Sequence, residues 1–547
     1  MGLESETRKF VLANAYEHEG KSQAGAIVGK LIGANVLKKE EIGKSMPIIN
    51  KIVSEVNNLS LKEQEAELNK IYPEFFNREK KEETHELPEL PEVKGKVVMR
   101  LAPYPSGALH IGNTKTYMLN TLYCEKYNGT LKFFMDDTIG SAEKYITPEA
   151  YKLMPEGFKW IGAKWDGPIL YKSKRMNKYY KFAEELIKKD LAYVCECPVE
   201  VLRENRLSGK DCLCRSNSVK ENIRKWKDML AKKYKQGSVA LRLKTSMQHP
   251  NPAFRDRVLA KIVERAHPKV GKKYVVWPTL ELSWAYDDHA IGSTHILRGN
   301  DLVIESDTCR FIWERLGWKV PVMMHTGMIQ LKGVKLSKSK ALKEVSSGAY
   351  SGWDDPRTWS LQSLRRRGIK PEAVREFIKE IGLNTADIEV PIDNLYNFNR
   401  KMIDSEANRY FFVENPIEIK VKGLPKQATP KVHPDRKETR KIKLGRLIYV
   451  AEVDFSKNKG QEVRLKDLAN IKLEKNSKVL PDAQGAQVVQ WVSTPNVKVD
   501  ILMPDGEYVK GIAEPLVSKV KPGSIVQFER FGFCRCEKKN KFVFAHK

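Results

Sequence analysis

Residues 102–113 read APYPSGALHIGN and carry two prolines, two glycines and one histidine, His110. They follow the apolar run KVVMRL and precede TKTYMLNTLYCEKY, in which apolar residues recur at helical spacing. Proline fixes the backbone, and glycine lets another group approach it closely. A strand, a glycine-bearing turn and a helix start in this order point backbone N–H groups at a phosphate. The stretch therefore predicts a phosphate-binding turn and a helix that begins near His110.

Length and charge set the class of protein. The 547 residues predict three or four domains. Lysine and arginine number 96 against 69 acidic residues, so the formal net charge is +27. Because this basic excess is spread along the chain, it favours a large polyanionic partner, with nucleic acid first. There is no run of 18 apolar residues, and the polar start MGLESETRKF is not typical of a secretory signal. We expect a cytoplasmic protein that does not contact membranes.

The order of patterns along the chain predicts a multidomain α/β plus β architecture. Short apolar runs alternate with amphipathic helices in the first half, which is typical of a parallel sheet. Cysteine pairs interrupt this alternation, and short strands with Gly and Pro turns fill the C-terminal part. The expected parts are a helical region with a linker at 1–92, a Rossmann-like domain in two halves at 93–190 and 261–350, an inserted domain at 191–260, a helical region at 351–408 and a β-barrel at 409–547.

A second motif, GVKLSKSK at residues 333–340, alternates lysine and serine on a short loop. Alone, such a loop is most often a solvated surface segment. Together with the HIGN stretch that begins at His110, it resembles the signature pair of the class I aminoacyl-tRNA synthetases. The resemblance implies a Rossmann-like catalytic domain, an inserted acceptor-end domain, a helical stem-contact region and a β-barrel that binds the anticodon. It also implies ATP with Mg²⁺ as a substrate complex.

Amino-acid activation is the attack of a carboxylate on the α-phosphate of ATP, and it depends on charge stabilisation at the phosphates. In this resemblance His110 donates to the phosphates, Gly112 lets the adenine lie against bare backbone, and Lys338 holds the departing pyrophosphate. The implied catalytic residues are His110, Asn113, Lys335 and Lys338. The implied ATP-binding residues are Pro105, Gly107, His110, Gly112, Asn113, Lys335, Ser337 and Lys338.

Further stretches narrow the resemblance to the glutamyl and glutaminyl branch. They are RLAPYPSGALHIGN, DDT, DDHAIGSTHILRGND and QFERFGFCRC. The N-terminal AGAIVGKLIG and the β-rich C-terminal half are similar to archaeal-type glutamyl-tRNA synthetases, over nearly the whole chain. The resemblance implies that Arg100 pairs with the side-chain carboxylate of the amino acid and that Asp136 takes its α-amino group. It also places Ala102 and Arg298 in the amino-acid pocket.

Four positions around this pocket depart from the family pattern. Tyr104 stands where Ser, Asn or Glu is usual, and Phe134 stands where arginine is common. Leu280 replaces a usual tyrosine, and Trp284 replaces a smaller side chain. These departures leave the reaction class intact and concern the shape of the pocket.

Six of the eight cysteines fall in Cys-x-Cys pairs, which in a cytosolic chain favours a metal over disulfides. Cys195 and Cys197 are followed, after a gap of 14 residues, by Cys212 and Cys214. Four thiolates are thus available to one tetrahedral zinc ion. On a strand, residues i and i+2 face the same way, so each pair can present its sulfurs together. Four reduced, buried cysteines are the alternative.

The resemblance implies a glutamate–tRNA ligase, which joins L-glutamate to the 3′-terminal ribose of tRNA(Glu) through an adenylate. Charging of tRNA(Gln) is left open, and a monomer is favoured. One alternative is a glutaminyl-tRNA synthetase, in which a neutral amide would meet Arg100. Another is a catalytically retired, tRNA-binding paralogue, which the intact His110, Lys335 and Lys338 disfavour.

Overall fold

The computed structural model describes residues 3–17, 20–34, 36–37, 41–76, 86–140, 145–334, 336, 338–481 and 486–547. The chain divides into two compact units, Met1–His85 and Glu86–Lys547. Within the described ranges, every helix is too short or too polar to cross a lipid bilayer.

The first unit is a small helical bundle with an apolar core, as its sequence predicts. Its helices are α1 (Leu3–Glu17), α2 (Ala24–Gly33), α3 (Ile42–Asn57) and α4 (Leu61–Ile71). Ser60 starts α4 with a capping box, in which its amide donates to Glu63 Oε2 at 2.8 Å. The core side chains include Val11, Leu12, Ile27, Leu31, Ile49, Val56 and Leu68. Burial of these apolar residues is what holds the short helices together.

The second unit opens with a parallel sheet. Its first elements are β1 (Val98–Leu101), α5 (Ile111–Lys126), β2 (Thr130–Met135), α6 (Ala150–Trp160), β3 (Leu170–Tyr171) and α7 (Met176–Lys188). The strands lie in the order β1-β2-β3 and are parallel, with Val98 opposite Thr130 and Phe134 opposite Leu170. The predicted turn and helix around His110 are confirmed, because α5 begins one residue later.

An antiparallel sheet then interrupts the α/β order and carries the cysteine pairs. The elements are β4 (Ala192–Cys195), α8 (Val199–Ser208), α9 (Val219–Leu230), β5 (Ala240–Leu243), β6 (Val258–Ile262) and β7 (Val276–Pro278). The sheet order is β4-β5-β6-β7. Cys195 ends β4, whereas Cys214 lies in the 3₁₀ turn Leu213–Ser216, just after Cys212. A tight turn, and not a strand, therefore presents the second pair.

The α/β order resumes beside β1. The next elements are α10 (Leu280–Ala290), β8 (His295–Gly299), α11 (Val303–Leu316), β9 (Val322–Thr326), β10 (Ile329–Leu331) and α12 (Lys338–Ser346). β8 and β9 are parallel. The Thr294 amide donates to the Val98 carbonyl at 3.0 Å, so this pair of strands adjoins β1. The arrangement brings residues of β1, α10 and β8 to one place.

A helical region follows, as predicted, with one short strand. Its elements are α13 (Leu361–Arg367), α14 (Pro371–Ile381), β11 (Ile388–Val390) and α15 (Ile392–Ile403). Pro371 stands in the first turn of α14, where its missing N–H leaves no bond unmade. β11 pairs with β10 in parallel.

Two seven-stranded, barrel-like sheets form the C-terminal part. The elements are β12 (Asn408–Tyr410), β13 (Phe412–Glu414), β14 (Pro416–Lys422), β15 (Gln427–Ala428), β16 (Ile442–Lys443), β17 (Leu447–Ala451), α16 (Glu452–Asn458), β18 (Glu462–Leu465), β19 (Ala469–Lys472), β20 (Asn476–Leu480), β21 (Gln487–Val489), β22 (Trp491–Ser493), β23 (Val497–Leu502), β24 (Tyr508–Ala513), β25 (Ile525–Phe528), β26 (Gly532–Lys538) and β27 (Lys541–His546). The strand orders are β21-β18-β19-β20-β14-β17-β22 and β12-β25-β26-β27-β23-β24-β13.

Arg367, the last residue of α13, joins the helical region to these sheets. Its guanidinium is fully buried and donates to the carbonyl oxygens of Phe544, at 3.3 Å, and Ala545, at 2.6 Å. It also donates to the Tyr396 hydroxyl at 2.8 Å. One cation thereby satisfies buried acceptors from α15 and β27, which would otherwise lose their hydrogen bonds to water.

We expect Arg367→Met to destabilise this junction by about 2–4 kcal/mol, because it leaves buried acceptors without donors. Differential scanning calorimetry should show a lower Tm for the corresponding transition. Arg365→Met is the matched control, since Arg365 lies in the same helix and is exposed. Equal Tm values for the two variants would contradict the role given to Arg367.

Candidate active site

One cavity of about 1530 Å³ joins the turn at His110 to a group of buried charges. The predicted site residues on its wall are Arg100, Ala102, His110, Gly112, Asn113, Asp136 and Arg298. Pro105 and Gly107 belong to the same turn. Lys335 and Ser337 lie outside the described residues, as does the side chain of Lys338, the residue at which α12 begins.

The turn is held by a segment far along the chain. The Ile111 amide donates to the Trp359 carbonyl at 3.2 Å, and the Leu361 amide donates to the Leu109 carbonyl at 2.8 Å. Asn113 Oδ1 accepts the His110 amide at 3.1 Å, so this side chain also shapes the turn. The start of α5 therefore has a fixed position at the wall of the cavity, where the positive end of the helix dipole attracts anions.

Steric contacts explain why two positions of the turn are glycine. Gly107 has φ +141°, and a Cβ there would lie 2.3 Å from the Trp353 ring. A Cβ on Gly112 would lie 3.0 Å from the Ile329 carbonyl oxygen and 2.8 Å from Leu336 Cδ1. Gly107 thus allows both an unusual backbone conformation and close packing. Gly112 leaves bare backbone on the cavity wall.

The far end of the cavity contains a bidentate ion pair. Arg100 Nε lies 2.5 Å from Asp288 Oδ1, and its Nη2 lies 3.0 Å from Oδ2. Asp288 is fully buried and Arg100 is 5% exposed. Burial alone would lower the pKa of Arg100, but the Asp288 carboxylate more than offsets this, so the pKa lies above its ordinary value. The arginine predicted to meet the substrate is therefore already paired within the protein.

Arg298 is the second buried guanidinium. Its Nη2 lies 3.6 Å from Asp288 Oδ2, and none of its nitrogens has a hydrogen-bond partner among the described residues. Burial, together with the neighbouring charge of Arg100, lowers the pKa of Arg298 to about 10. This arginine therefore remains charged at neutral pH, and it borders the cavity with buried donors that make no hydrogen bond to the described residues.

Asp136 is surrounded by groups that include one the sequence did not indicate. Lys172 Nζ lies 3.2 Å from Asp136 Oδ1, and the Trp284 indole N–H donates to Oδ2 at 2.9 Å. Burial lowers the pKa of Lys172, while the Asp136 carboxylate opposes that shift. Lys172 stands 36 residues after Asp136, outside every motif, so no local signal was available. Asp288 lies in the DDH stretch, which carries part of the family resemblance and gives no local sign of the pairing with Arg100.

Of the four residues that depart from the family pattern, three lie on the cavity wall and one lies elsewhere. Tyr104, Leu280 and Trp284 line the cavity. Phe134 is buried, with the Arg175 guanidinium 5.6 Å from its ring. The changes predicted to alter the pocket therefore do reach its wall at three of four positions.

The four paired cysteines come together in the inserted sheet. Their sulfur atoms all lie within 4.8 Å of one another. The Sγ atoms of Cys195 and Cys212 are 3.7 Å apart, and those of Cys197 and Cys214 are 3.8 Å apart. A tetrahedral Zn²⁺ with bonds of about 2.3 Å requires sulfur atoms about 3.8 Å apart. The donor set and its spacing therefore fit zinc.

Family models cover most of the second unit. Residues 96–405 match the catalytic domain described as "tRNA synthetases class I (E and Q)". Residues 407–486 and 488–537 match the two anticodon-binding domains of the same group. The chain belongs to this family, which agrees with the fold and with the turn at His110.

Curated relatives narrow the comparison to one enzyme name. The chain is 41% identical to the glutamate–tRNA ligase of Pyrococcus furiosus and 42% identical to that of Pyrococcus abyssi, with 100% of each chain covered. The glutamate–tRNA ligase of Methanocaldococcus jannaschii is 38% identical, with 99% of both chains covered. The similarity extends over the first unit as well as over the catalytic and C-terminal parts.

We expect Asp288→Asn to destabilise the second unit by about 3–5 kcal/mol, because it leaves the buried Arg100 without its counter-charge. The measurement is the Tm by differential scanning calorimetry at neutral pH. Asp301→Asn is the control, because Asp301 lines the same cavity but is exposed. A Tm loss no larger than that of the control would show that Arg100 does not depend on this carboxylate.

Proposed function

We propose that this chain is a glutamate–tRNA ligase. The observation that carries the proposal is one cavity in which the turn at His110 faces the buried guanidinium groups of Arg100 and Arg298. A phosphate site and an acid-binding site in one cavity suit the joining of a nucleotide to an acidic amino acid. The name carried by relatives that match the whole chain supports the same function.

The reaction has two steps. A carboxylate oxygen of glutamate attacks the α-phosphorus of ATP, the bond to pyrophosphate breaks, and glutamyl adenylate remains. A hydroxyl of the 3′-terminal ribose of tRNA(Glu) then attacks the adenylate carbonyl, and AMP leaves. Mg²⁺ bound with ATP supplies further compensation of phosphate charge. The protein contributes orientation and preorganised donors, which is how phosphoryl and acyl transfer are chiefly accelerated.

On the ATP side we assign the phosphates to His110 and to the start of α5. Asn113 supports the turn through its bond to the His110 amide. We assign the adenine to the bare backbone of Gly112, following the family motif. The remaining assignments follow the family motif: Pro105 and Gly107 in the turn, and Lys335, Ser337 and Lys338 in the second loop.

On the amino-acid side we assign the substrate to Arg100, Ala102, Asp136 and Arg298. Asp136 is placed to accept the α-amino group, and its burial strengthens such a charge-assisted bond. Arg298, whose nitrogens make no hydrogen bond to the described residues, is assigned to the side-chain carboxylate, and Arg100, which Asp288 already pairs, adds positive charge beside it. Glutamine would leave one cation less well paired, which favours the acid over the amide.

We assign tRNA contacts to the domains predicted from the sequence. These are the inserted acceptor-end domain at 191–260, whose sheet continues to Pro278, the stem-contact helices at 351–408, and the anticodon-binding part at 409–547. The catalytic halves are 93–190 and 261–350, after an N-terminal region at 1–92. The net charge of +27 supports a nucleic-acid partner. tRNA(Gln) is a second candidate substrate, and a monomer is the proposed state.

We assign a structural Zn²⁺ to Cys195, Cys197, Cys212 and Cys214. The sulfur spacing fits tetrahedral coordination, and Arg242 Nη1 lies 3.7 Å from Cys195 Sγ and 3.6 Å from Cys212 Sγ. A buried cation beside two sulfur atoms stabilises their thiolate form, the form that binds metal. The ion would connect β4 to the turn that follows α8.

The decisive experiment is ATP–pyrophosphate exchange with glutamate and with glutamine, each with and without tRNA. We expect kcat/KM to be at least about tenfold higher for glutamate, because an amide leaves a buried cation under-paired. His110→Ala serves as the control for contaminating host enzymes and should lose the glutamate-dependent signal. Equal or faster exchange with glutamine would reject glutamate as the substrate and leave the ligase class standing.

We expect Lys338→Ala to lower kcat about 10²- to 10³-fold, with little change in the KM for ATP. The reason is that Lys338 acts on the pyrophosphate as the bond breaks, and losing such a charge contact mainly raises the barrier. Exchange kinetics measure both constants. Lys340→Ala, two residues further along α12, should stay near the parent enzyme. A raised KM at unchanged kcat would instead indicate binding of ground-state ATP.

We expect about one zinc ion per chain in protein purified under reducing conditions. Cys212→Ser should lower the zinc content and slow tRNA charging more than pyrophosphate exchange, because the cluster lies in the inserted sheet. Cys124→Ser is the control, since Cys124 lies outside the cluster. Metal analysis that finds no zinc in the parent protein would remove this assignment.

A further inference from the structure

Trp284 lies at the centre of the charges at the far end of the cavity. The guanidinium carbons of Arg298 and Arg100 lie 4.3 Å and 4.5 Å from its ring centroid. Lys172 Nζ lies 4.9 Å from the same ring. All three distances fall within the range of cation–π attraction, which is strongest for tryptophan and for desolvated cations. Trp284 is itself only 5% exposed.

The same side chain also contacts the carboxylate of the pocket. Its indole N–H donates to Asp136 Oδ2 at 2.9 Å, and Lys172 occupies the other oxygen at 3.2 Å. Trp284 therefore contacts both arginines and the aspartate that are assigned to the amino acid. Neither Phe134 nor Leu280, two other departures from the family pattern, has comparable polar contacts among those described for this cluster.

An aromatic ring holds an arginine differently from a carboxylate. A carboxylate consumes the N–H donors, as Asp288 does for Arg100 through two hydrogen bonds. A ring attracts the face of the guanidinium and leaves the donors at its edge available for a ligand. Arg298 packs against the Trp284 ring in this way, and its nitrogens have no hydrogen-bond partner among the described residues.

Arg298 also has a competing position. Its Nη2 already forms an ion pair with Asp288 Oδ2 at 3.6 Å, a distance too long for a hydrogen bond, so a small movement would make this pair hydrogen-bonded. Such a hydrogen-bonded pair would occupy the N–H donors of Arg298 within the protein. The Trp284 ring, against which Arg298 packs at 4.3 Å, holds it away from that position.

We propose that Trp284 is the specificity-determining residue of the amino-acid pocket, because it keeps Arg298 open to a substrate carboxylate while it orients Asp136 toward the α-amino group. The proposal rests on glutamate activation as the function. Glutamate, with one net negative charge, meets the open arginine. Glutamine, which is neutral overall, leaves the charge of that arginine uncompensated. Without the ring, Arg298 closes on Asp288 and the distinction between acid and amide weakens.

The test separates the two contacts of Trp284 with two variants. Trp284→Phe retains a ring but loses the N–H donor to Asp136. We expect KM to rise about tenfold for glutamate and glutamine alike, with an unchanged ratio of their kcat/KM values. Trp284→Leu loses both contacts. We expect it to reduce the glutamate-to-glutamine ratio at least tenfold in pyrophosphate exchange.

Trp313→Phe is the matched control. Trp313 is fully buried on α11, and its indole N–H donates to the Ala285 carbonyl at 2.8 Å, a backbone acceptor and not a carboxylate. The glutamate-to-glutamine ratio of kcat/KM in Trp313→Phe should equal that of the parent enzyme. Tm values identify any variant that fails to fold, and Trp284→Met then replaces Trp284→Leu as the ring-free variant.

A glutamate-to-glutamine ratio within twofold of the parent in the ring-free variant that folds would overturn the proposal. So would an equal change in Trp313→Phe, because a general packing defect would then explain the result. The failure of the proposed function is distinct: the parent enzyme itself would show no preference for glutamate. Isothermal titration calorimetry gives the ratio of the Kd values for glutamate and glutamine without turnover. This ratio should change in the same variants as the kinetic ratio.

Discussion

The Asp288 carboxylate is the interaction on which the charged end of the cavity depends. It belongs to α10, accepts two hydrogen bonds from Arg100 on β1, and lies 3.6 Å from Arg298 on β8. A buried cation without such a partner costs several kcal/mol. The three elements must therefore keep their relative positions for any of these charges to be tolerated. The ion pairs of Asp288 therefore stabilise the same contact between β1 and β8 that the hydrogen bond from the Thr294 amide to the Val98 carbonyl stabilises.

The features that could be predicted from the sequence are those encoded by residues close together in the chain. The turn at His110 and helix α5 follow from proline, glycine and apolar spacing within one short stretch. The cysteine cluster follows from two short pairs, although a tight turn at Leu213–Ser216, and no strand, positions the second. The inner contacts of the pocket could not be predicted in the same way. Lys172 and Trp284 meet Asp136 only because separate elements converge.

The strand pairing of the C-terminal part could not be predicted from local sequence either. Its β character is evident from composition, but one edge strand of its second sheet, Asn408–Tyr410, joins by parallel pairing with a strand more than a hundred residues later, Ile525–Phe528. No local pattern encodes such a register, which depends on the packing of the whole sheet. Arg367 is a similar case. It ends a run of three arginines that resembles a solvated helix end, yet it is buried because the carbonyl groups of β27 need its donors.

The bonds from Trp359 and Leu361 to the turn at His110 have a consequence for synthesis on the ribosome. A nascent chain displays the whole HIGN stretch long before residue 361 has emerged. Until then the turn lacks the backbone partners that fix it, so the nucleotide affinity proposed for it would arise only late in synthesis. A ligand that binds only the folded form stabilises it by mass action. Cellular ATP would then protect completed catalytic domains while leaving stalled, shorter chains open to proteolysis.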